Sequence, residues 1–382
     1  MNDIVTAIEI NPSGIRVVSG YVYQEKVYVL QALVGNSIKV DTNGFMDSKE
    51  TEESIRLLIS EAKSILKCDL KSFIILLPPD EFFIKNASMS TVTTSETVST
   101  QDYENCINMI NKKAKESNCV CVYDDPVFFS TDNSSQSTIF PLGMKAETLN
   151  TEVDVHMISK VTFDYYAQII KNLNIIPYFN IISSFSLGKY LCGFKAPASF
   201  FTLYVDKNSS TLTLMKEKRV LFSKVYDASY SELVEYASRK LNISSERMDE
   251  LIETFGVLDD ESYPYRTEEG FSLSDIANAV KTSFSDFEQI RKDMNELDPE
   301  GKVQISLFGT VRQYEGLDMT LISYFGRAAQ QFSAKVFGAR NDEFLACIGA
   351  IKLTSSPYLS PLKELQANGN NSEVTHNGYS RG

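Results

Sequence analysis

Residues 4–33 read Ile-Val-Thr-Ala-Ile-Glu-Ile (4–10), Asn-Pro-Ser-Gly (11–14), Ile-Arg-Val-Val-Ser-Gly-Tyr-Val-Tyr (15–23), Gln-Glu-Lys (24–26) and Val-Tyr-Val-Leu-Gln-Ala-Leu (27–33). Three apolar stretches are thus separated by two short polar segments. Proline fixes φ, glycine permits positive φ, and asparagine and serine bond to the local backbone, so residues 11–14 predict a tight turn. The stretch as a whole predicts a meander of three strands.

The same order of apolar and polar segments recurs halfway along the chain. Residues 200–205 are apolar, 206–210 read Asp-Lys-Asn-Ser-Ser, and the apolar stretches 211–215 and 220–225 are separated by a charged turn. A repeated meander, each copy followed by a helix-bearing segment, predicts two related α/β lobes in one chain.

Helical periodicity appears where such a repeated unit needs helices. In the first half, apolar residues at helical spacing run from Ile55 to Leu66, and residues 73–77 then predict a buried strand. In the second half, one long apolar face extends from Leu273 to Phe287, and Ser272 with Asp275 resembles a capping box at its start. Residues 303–308 predict a further strand.

The segment between the lobes has a different composition, rich in serine and threonine. It predicts a small inserted α+β subdomain over residues 82–160. The full division is 1–81 for the first lobe, 82–160 for the insertion, 161–197 for a helical return to the first lobe, 198–353 for the second lobe (its outer part 229–298), and 354–382 for a flexible tail. His156 lies in the alternating strand 153–158, and we expect it on the exposed face.

Composition and charge exclude several classes of protein. The 382 residues carry 37 basic and 50 acidic side chains, for a net charge of −13, which argues against a nucleic-acid-binding face. No stretch approaches the roughly 20 apolar residues of a membrane span. The two histidines and six scattered cysteines do not have the spacing of a metal centre, so no metal site is expected from them.

Several segments resemble one known family. These are the hairpin at 4–18, the sequence Asn-Gly-Phe-Met-Asp at 43–47 before a helix, Pro-Leu-Gly-Met at 141–144 before the strand Val-Asp-Val-His-Met-Ile at 153–158, and Leu-Phe-Gly-Thr at 307–310. Together they resemble the bacterial actin-like cell-division protein FtsA, over roughly residues 1–353. The resemblance implies a duplicated actin/ribonuclease-H-like α/β fold with two lobes and the FtsA-type insertion. The related pilus protein PilM is an alternative, and it matches 141–144 less well.

An actin-type site implies a nucleotide, ATP with Mg²⁺, held by the two hairpin turns and an adenosine loop. By resemblance the contacts fall on eight residues of this chain: Glu9, Asn11, Ser13, Asp206, Ser209, Thr211, Asp249 and Gly309.

The turns depart from the family pattern. Glu9 replaces an aspartate, Asn11 replaces a glycine, and Pro12 removes a backbone N–H. In the second lobe Asp227 and Ala228 replace a pair of glycines, so a carboxylate lies where phosphate is expected. One interpretation is that these are structural turns with slow or absent hydrolysis, no catalytic residue and no bound cofactor. The other is that Asn11, Ser13, Ser209 and Thr211 cradle ATP with side chains while Asp206 orients Mg²⁺ and water.

The function implied by the resemblance is a cytoplasmic scaffold of bacterial division at the cytoplasmic face of the membrane, at the septum. Its partners would be the C-terminal peptide of FtsZ, bound by 229–298, and other divisome proteins. Self-association would use the insertion. Contact with a membrane would be weak, or would need a partner or a further C-terminal helix, because residues 357–365 offer few leucines and one lysine. A PilM-like pilus adaptor and an active actin-fold ATPase or kinase remain alternatives.

Overall fold

The first meander forms as its sequence predicts, with β1 (Val5–Glu9), β2 (Arg16–Tyr23) and β3 (Lys26–Val34) in antiparallel order. The structure is a computed structural model. It describes residues 4–41, 44–79, 82–193, 196–258, 264, 266–332, 336, 338 and 342–355. The chain divides into two compact units, the first comprising residues 1–190 with 335–382 and the second 191–334.

Up to residue 191, ten further described elements follow β3. They are α1 (Ser48–Leu66), β4 (Ser72–Leu77), β5 (Phe83–Val92), α2 (Thr100–Ala114), β6 (Cys119–Thr131), β7 (Ser134–Ser137), β8 (Thr148–Ser159), α3 (Lys160–Asn172), β9 (Pro177–Ile182) and α4 (Ser183–Leu191). The main sheet has the order β3-β2-β1-β4-β9, with β1, β4 and β9 parallel. Because β4 is central, residues 73–77 are all buried, as their continuous apolar run predicts.

The inserted segment forms its own α+β layer within the first unit. Its sheet has the antiparallel order β5-β8-β6-β7, and α2 packs on β5 and β8. A serine and an aspartate three residues later cap the start of α2 reciprocally, Ser99 with Asp102.

His156 is buried, which corrects the expectation that it lies on an exposed face. It is only 1% exposed, and its ring centroid lies 4.2 Å from that of Phe185 in α4. The neighbouring residues Val155 and Met157 pack on the opposite face in the core beneath α2. The alternating pattern indicated the strand correctly, but β8 is central in its sheet and is covered on both faces.

In the second unit the order of elements repeats. The described elements are β10 (Ser199–Val205), β11 (Ser210–Lys216), β12 (Arg219–Tyr226), α5 (Tyr230–Leu241), α6 (Ser245–Phe255), α7 (Leu273–Ser283), α8 (Glu288–Leu297), β13 (Gln304–Gly309) and α9 (Leu317–Phe325). The sheet order β12-β11-β10-β13 matches β3-β2-β1-β4. The place of β9 is taken by one parallel bridge, Ile305 to Ala329. The repeat predicted from sequence is therefore present in the sheet topology.

The apolar face predicted from Leu273 to Phe287 is divided between two kinds of helix. The α7 helix begins with the expected capping box of Ser272 and Asp275 and ends at Ser283, and Phe284–Phe287 form a 3-10 turn before α8. The hydroxyls of Thr282 and Ser283 donate to carbonyls three residues back. Such side-chain hydrogen bonds compete with the helical backbone pattern and favour a break at this point.

The helix α10 (Leu345–Leu353), preceded by a 3-10 turn at Asp342–Phe344, packs on β1, β2, β3 and β4 of the first unit. The sequence predicts that residues 198–353 belong to the second lobe, whereas the contacts of α10 are in the first unit. Gly349 permits this packing, because a Cβ there would lie 2.4 Å from the carbonyl oxygen of Ser186 in α4. The predicted tail, 354–382, lies outside the described residues beyond Ser355.

Candidate nucleotide site

The first hairpin turn is closed by its own polar groups. The side chain of Asn11 accepts a hydrogen bond from the Ser13 amide at 2.8 Å, and the Gly14 amide donates to the Asn11 carbonyl at 3.0 Å. The first contact is typical of an Asx turn and the second of a β-turn. The carbonyl of Pro12 accepts from the Ile38 amide, so the next loop packs on this turn. Asn11 therefore holds the turn itself, and Ser13 is half-buried beside it.

Glu9 is paired with an arginine. It ends β1 directly opposite Arg16 at the start of β2, and the two side chains are about equally buried, at 4% and 5% exposed. The Arg16 Nη1 atom lies 3.7 Å from Glu9 Oε2, and its Nε atom lies 3.9 Å from Glu343 Oε2. In this pairing the Glu9 carboxylate is the counter-ion of a guanidinium. The nucleotide contact that the resemblance implies for Glu9 stays a prediction.

In the second unit, Asp206 lies at the carboxyl end of β10, beside the end of the parallel strand β13. It is 6% exposed, and its Oδ1 atom accepts from the Lys207 amide at 2.9 Å and from the Thr310 hydroxyl at 3.4 Å. The Asp206 amide donates to the Ser209 carbonyl across the turn. The carboxyl ends of neighbouring parallel strands are the usual place for a ligand in an α/β sheet.

Gly309 brings β13 close to β10 at this same edge. Its backbone has φ +87° and ψ −154°, a region that is essentially restricted to glycine. A Cβ would lie 2.4 Å from the Val205 carbonyl oxygen. Two of the remaining predicted residues, Ser209 and Thr211, are half-buried. Ser209 lies in the turn and Thr211 in β11, so both belong to the same hairpin as Asp206. Asp227 is exposed.

Asp249 and the predicted adenosine loop are joined by one tyrosine. The Tyr230 hydroxyl donates to Asp249 Oδ1 at 2.5 Å, and its ring stacks on Tyr314, with centroids 5.0 Å apart and an interplanar angle of 12°. Burial, followed by the bond to the Asp249 carboxylate, raises the pKa of Tyr230, so its proton stays in place. Asp249 therefore already has a hydrogen-bond donor within the protein.

Sequence reasoning missed Arg16, Glu343, Thr310, Tyr230 and Tyr314. For Arg16 the sequence did contain an indication of its role. It is the only charged residue in the largely apolar stretch 15–23. A lone charge in a buried strand indicates a paired partner. The tyrosines carried no such indication, because an aromatic side chain, in a helix or in a loop, usually indicates core.

The described residues contain no cluster of three or more His, Cys, Asp or Glu side chains arranged to hold a metal ion. In the same part of the chain, no helix combines the length and apolar character needed to cross a membrane.

Comparisons with known proteins identify the fold of the chain. No protein-family model matches the chain. No curated protein matches it either. Among solved structures, the PilM-PilN type IV pilus biogenesis complex is similar with a TM-score of 0.57 and 12% identity, over 95% of this chain and 98% of that one. The ethanolamine utilization protein EutJ from Carboxydothermus hydrogenoformans gives 0.54 and 8%, over 92% of this chain and 90% of its own.

A third structure, MreB5 of Spiroplasma citri bound to ADP, gives a TM-score of 0.51 and 9% identity over 96% of this chain and 99% of its own. These matches and the repeated sheet order lead to one conclusion. The chain has the actin-like fold. The fold class predicted from sequence, two related α/β lobes with a small insertion, is confirmed. Identities of 8–12% reach no further than the fold.

Proposed function

We propose that this protein is an FtsA-like scaffold of the actin-like fold that works through protein partners, and that its nucleotide site is degenerate. One observation carries the proposal. Three side chains predicted to contact nucleotide or metal are engaged within the protein: Glu9 by Arg16, Asn11 by the Ser13 amide, and Asp249 by Tyr230. A ligand that separated Glu9 from Arg16 would leave a buried charge without its partner, at a cost of about 3–5 kcal/mol.

The alternative is an active ATPase or kinase, which needs a carboxylate at the nucleotide site. Among the predicted contacts, Asp206 fits that need. Its carboxylate and the Thr310 hydroxyl lie together at a sheet edge suited to ligands. MreB5, whose solved structure contains ADP, shares the fold. Weak nucleotide binding by the second unit alone is compatible with the proposal, whereas turnover is not.

Titration calorimetry with Mg-ATP, together with a phosphate-release assay, tests the degenerate site. We expect no binding in the micromolar range and no release above the buffer rate. Asp206→Asn serves as the matched control, since it removes the remaining carboxylate with little change in volume. A micromolar dissociation constant, or hydrolysis lost in Asp206→Asn, would overturn the degenerate site and favour the ATPase.

The proposed partner is the C-terminal peptide of FtsZ, bound by the outer part of the second unit, residues 229–298. The protein carries a net charge of −13, and complementary charge mainly raises the association rate. In this proposal the protein acts at the cytoplasmic face of the membrane, at the septum, and associates with itself through the insertion and with other divisome proteins.

Fluorescence anisotropy with a labelled FtsZ C-terminal peptide tests that partner. We expect binding that weakens with salt and in Glu235→Lys on α5, where the glutamate is exposed and pairs with Arg239 only at the surface. Glu61→Lys, an exposed glutamate of α1, is the control for net charge. Equal loss in both variants would contradict a site on the outer part.

A PilM-like adaptor is the second candidate, because the PilM-PilN complex is structurally similar over 95% of this chain. The same anisotropy assay with a labelled PilN segment in place of the FtsZ peptide distinguishes the two. Binding of PilN but not of FtsZ would favour the pilus adaptor.

A further inference from the structure

Three tyrosines share one face of the hairpin β2–β3, close to its turn. Tyr21 and Tyr28 are paired across the two strands, and their rings stack with centroids 5.4 Å apart and an interplanar angle of 9°. Tyr23 lies on the same face of β2, and its ring centroid is 6.4 Å from that of Tyr28. Tyr23 is 51% exposed, and the other two are half-buried. We call these three rings the tyrosine face.

The repeated hairpin of the second unit, β11–β12, does not have this face. Both hairpins turn through two residues with positive φ, 24–25 in the first and 217–218 in the second. Counted from these turns, the positions that match Tyr21, Tyr23 and Tyr28 are occupied by Leu214, Lys216 and Leu221. A hairpin of this kind therefore forms without the tyrosines, which indicates that their rings have a role other than forming it.

A buried amide on the same face lacks a hydrogen-bond partner in the part of the chain that the structure describes. Gln31 is paired with Ser19 on β2, and Ser19 and Tyr21 lie on the same face of that strand, so Gln31 lies on the side of the tyrosine face. Gln31 is 8% exposed, and its Nε2 and Oε1 atoms are both buried without a partner. Such a buried polar group costs about 1–3 kcal/mol. A polar group from outside the described residues would remove that cost.

The helix α10 leads the chain to this hairpin. Near the start of α10, the thiol of Cys347 lies 3.9 Å from the carbonyl oxygen of Arg16, at the start of β2. Near its end, the Lys352 ammonium donates to the carbonyl oxygen of Glu25 in the turn of the hairpin. The helix therefore runs beside β2 toward the turn, and the described chain ends at Ser355, three residues after Lys352.

The ten residues that follow have the composition that an aromatic face binds. Residues 356–365 read Ser-Pro-Tyr-Leu-Ser-Pro-Leu-Lys-Glu-Leu, with two prolines, one tyrosine and three leucines. Proline-containing segments dock on aromatic-lined surfaces, and their backbone groups stay available to bond with a side-chain amide. Ten residues span up to about 33 Å, whereas Tyr23 and Ser19 are about 13 Å apart along β2. The segment is therefore long enough to reach from the turn across the tyrosine face to Gln31.

We propose that residues 356–365 dock on the tyrosine face of their own chain, with their apolar side chains against the rings and a backbone group bonded to the Gln31 amide. The face is then a peptide-binding surface, and its occupant is this chain. This goes beyond the proposed scaffold function, because it concerns a contact within the protein and holds whichever partner the protein binds.

The sequence contains no tryptophan, which permits a direct test in the full chain. Leu359→Trp introduces a single indole in the segment, and Asn377→Trp introduces one in the polar stretch after it as the matched control. We expect Leu359→Trp to emit at a shorter wavelength than Asn377→Trp and to be quenched less by acrylamide, because a docked indole is shielded from water. Both properties should be independent of protein concentration, since the contact lies within one chain.

Substitutions in the two hairpins locate the contact. Tyr23→Lys, added to Leu359→Trp, should shift the emission to the wavelength of Asn377→Trp and raise the quenching to match. The second hairpin has a lysine at the matching position, so the strand accommodates this change. Leu221→Lys is the matched control, because Leu221 is 52% exposed and the change in charge is the same, and it should alter neither property.

Gln31→Leu, added to Leu359→Trp, tests the amide contact in the same way and should also raise the quenching. Urea denaturation checks that every variant is folded.

Equal emission and quenching of Leu359→Trp and Asn377→Trp would overturn the proposal. A shielded indole that stays shielded in Tyr23→Lys would do the same, because the segment would then dock elsewhere. Shielding that grows with protein concentration would replace the proposal by docking between two copies, and unchanged quenching in Gln31→Leu would remove the amide contact from it. Because no nucleotide, FtsZ peptide or PilN segment is present, these results are independent of the tests of the proposed function.

Discussion

Tyr230 joins two parts of the second unit through a single side chain. Its hydroxyl donates a hydrogen bond to Asp249 on α6, and its ring stacks on that of Tyr314 in the loop before α9. Stacked rings add about 0.5–1.5 kcal/mol beyond their buried area, and a hydrogen bond to a charged group adds about 1.5–3 kcal/mol. One residue thus fixes the positions of two segments that the resemblance assigns to adenosine binding.

His156 gives a pH dependence to the first unit. Burial, followed by the charge of Lys189, lowers its pKa to about 3, whereas an unfolded histidine titrates near 6.5. Between these values the unfolded chain binds the extra proton, so stability falls as the pH is lowered through this window. We expect the wild type to lose about 2 kcal/mol more than His156→Phe between pH 6.5 and 5, measured by urea denaturation.

His156→Phe is a suitable control because the ring already packs against Phe82, Tyr123 and Phe185. Acidic side chains contribute to both pH profiles and cancel in the difference. Parallel profiles for the two proteins would contradict the assignment.

At the scale of single residues, sequence indicated what the backbone does but not which side chains meet. Asn11 and Gly14 predicted their turn because their effects are local. The Glu9–Arg16–Glu343 group depends on a contact between β2 and the segment before α10, more than 300 residues later in the chain. Composition and periodicity carry no information on such a contact.

Among the elements, β10 and β13 lie close together at Gly309. Its Cβ-free backbone adopts φ +87° and ψ −154° against the Val205 carbonyl. Gly309→Ala adds both backbone strain and a steric contact, and we expect it to destabilise the second unit by about 3 kcal/mol.

Gly326→Ala is the matched control for that prediction. Gly326 ends α9 with φ +65° and has open space where a Cβ would be, so its substitution adds only left-handed strain, about 1 kcal/mol. Urea denaturation of both variants measures the difference. Equal losses of stability in the two variants would mean that the close approach of β10 and β13 does not add to the cost of Gly309→Ala.

Strands and their order were the best-predicted elements, because a meander with strong turn residues leaves few alternatives. The sequence could not indicate that the counterpart of β9 in the second unit is reduced to one bridge at Ala329. A single bridged residue has no periodicity to detect. The division of the face 273–287 into α7 and a 3-10 turn depended on the hydroxyls of Thr282 and Ser283, whose preference is weak.

For the molecule as a whole, the turn 141–144 near the end of the insertion carries exposed apolar side chains in the first unit. The Met144 amide donates to the Pro141 carbonyl, and residues 143 and 144 exchange backbone hydrogen bonds with Val98. Leu142 and Met144 are nevertheless 53% and 42% exposed. Neighbouring exposed apolar side chains are where a contact surface would form if they belong to a larger apolar patch.

We expect Leu142→Ser with Met144→Ser to weaken self-association in sedimentation velocity and to leave the urea midpoint unchanged. Leu57→Ser on α1, where the leucine is 62% exposed, is the control for lost apolar surface. Association that is equal in the wild type and the double variant, or a wild type that stays monomeric at every concentration, would contradict self-association through the insertion.

The sequence order of α10 has a consequence for biosynthesis. The ribosome makes β1 first and α10 more than 300 residues later, yet α10 packs on β1 and β2. Residues 191–334 contain every described element of the second unit, so during translation that unit can complete its core while the sheet of the first unit still lacks this helix. A nascent chain of this protein therefore exposes an apolar sheet face for most of its synthesis, a state that chaperones recognise.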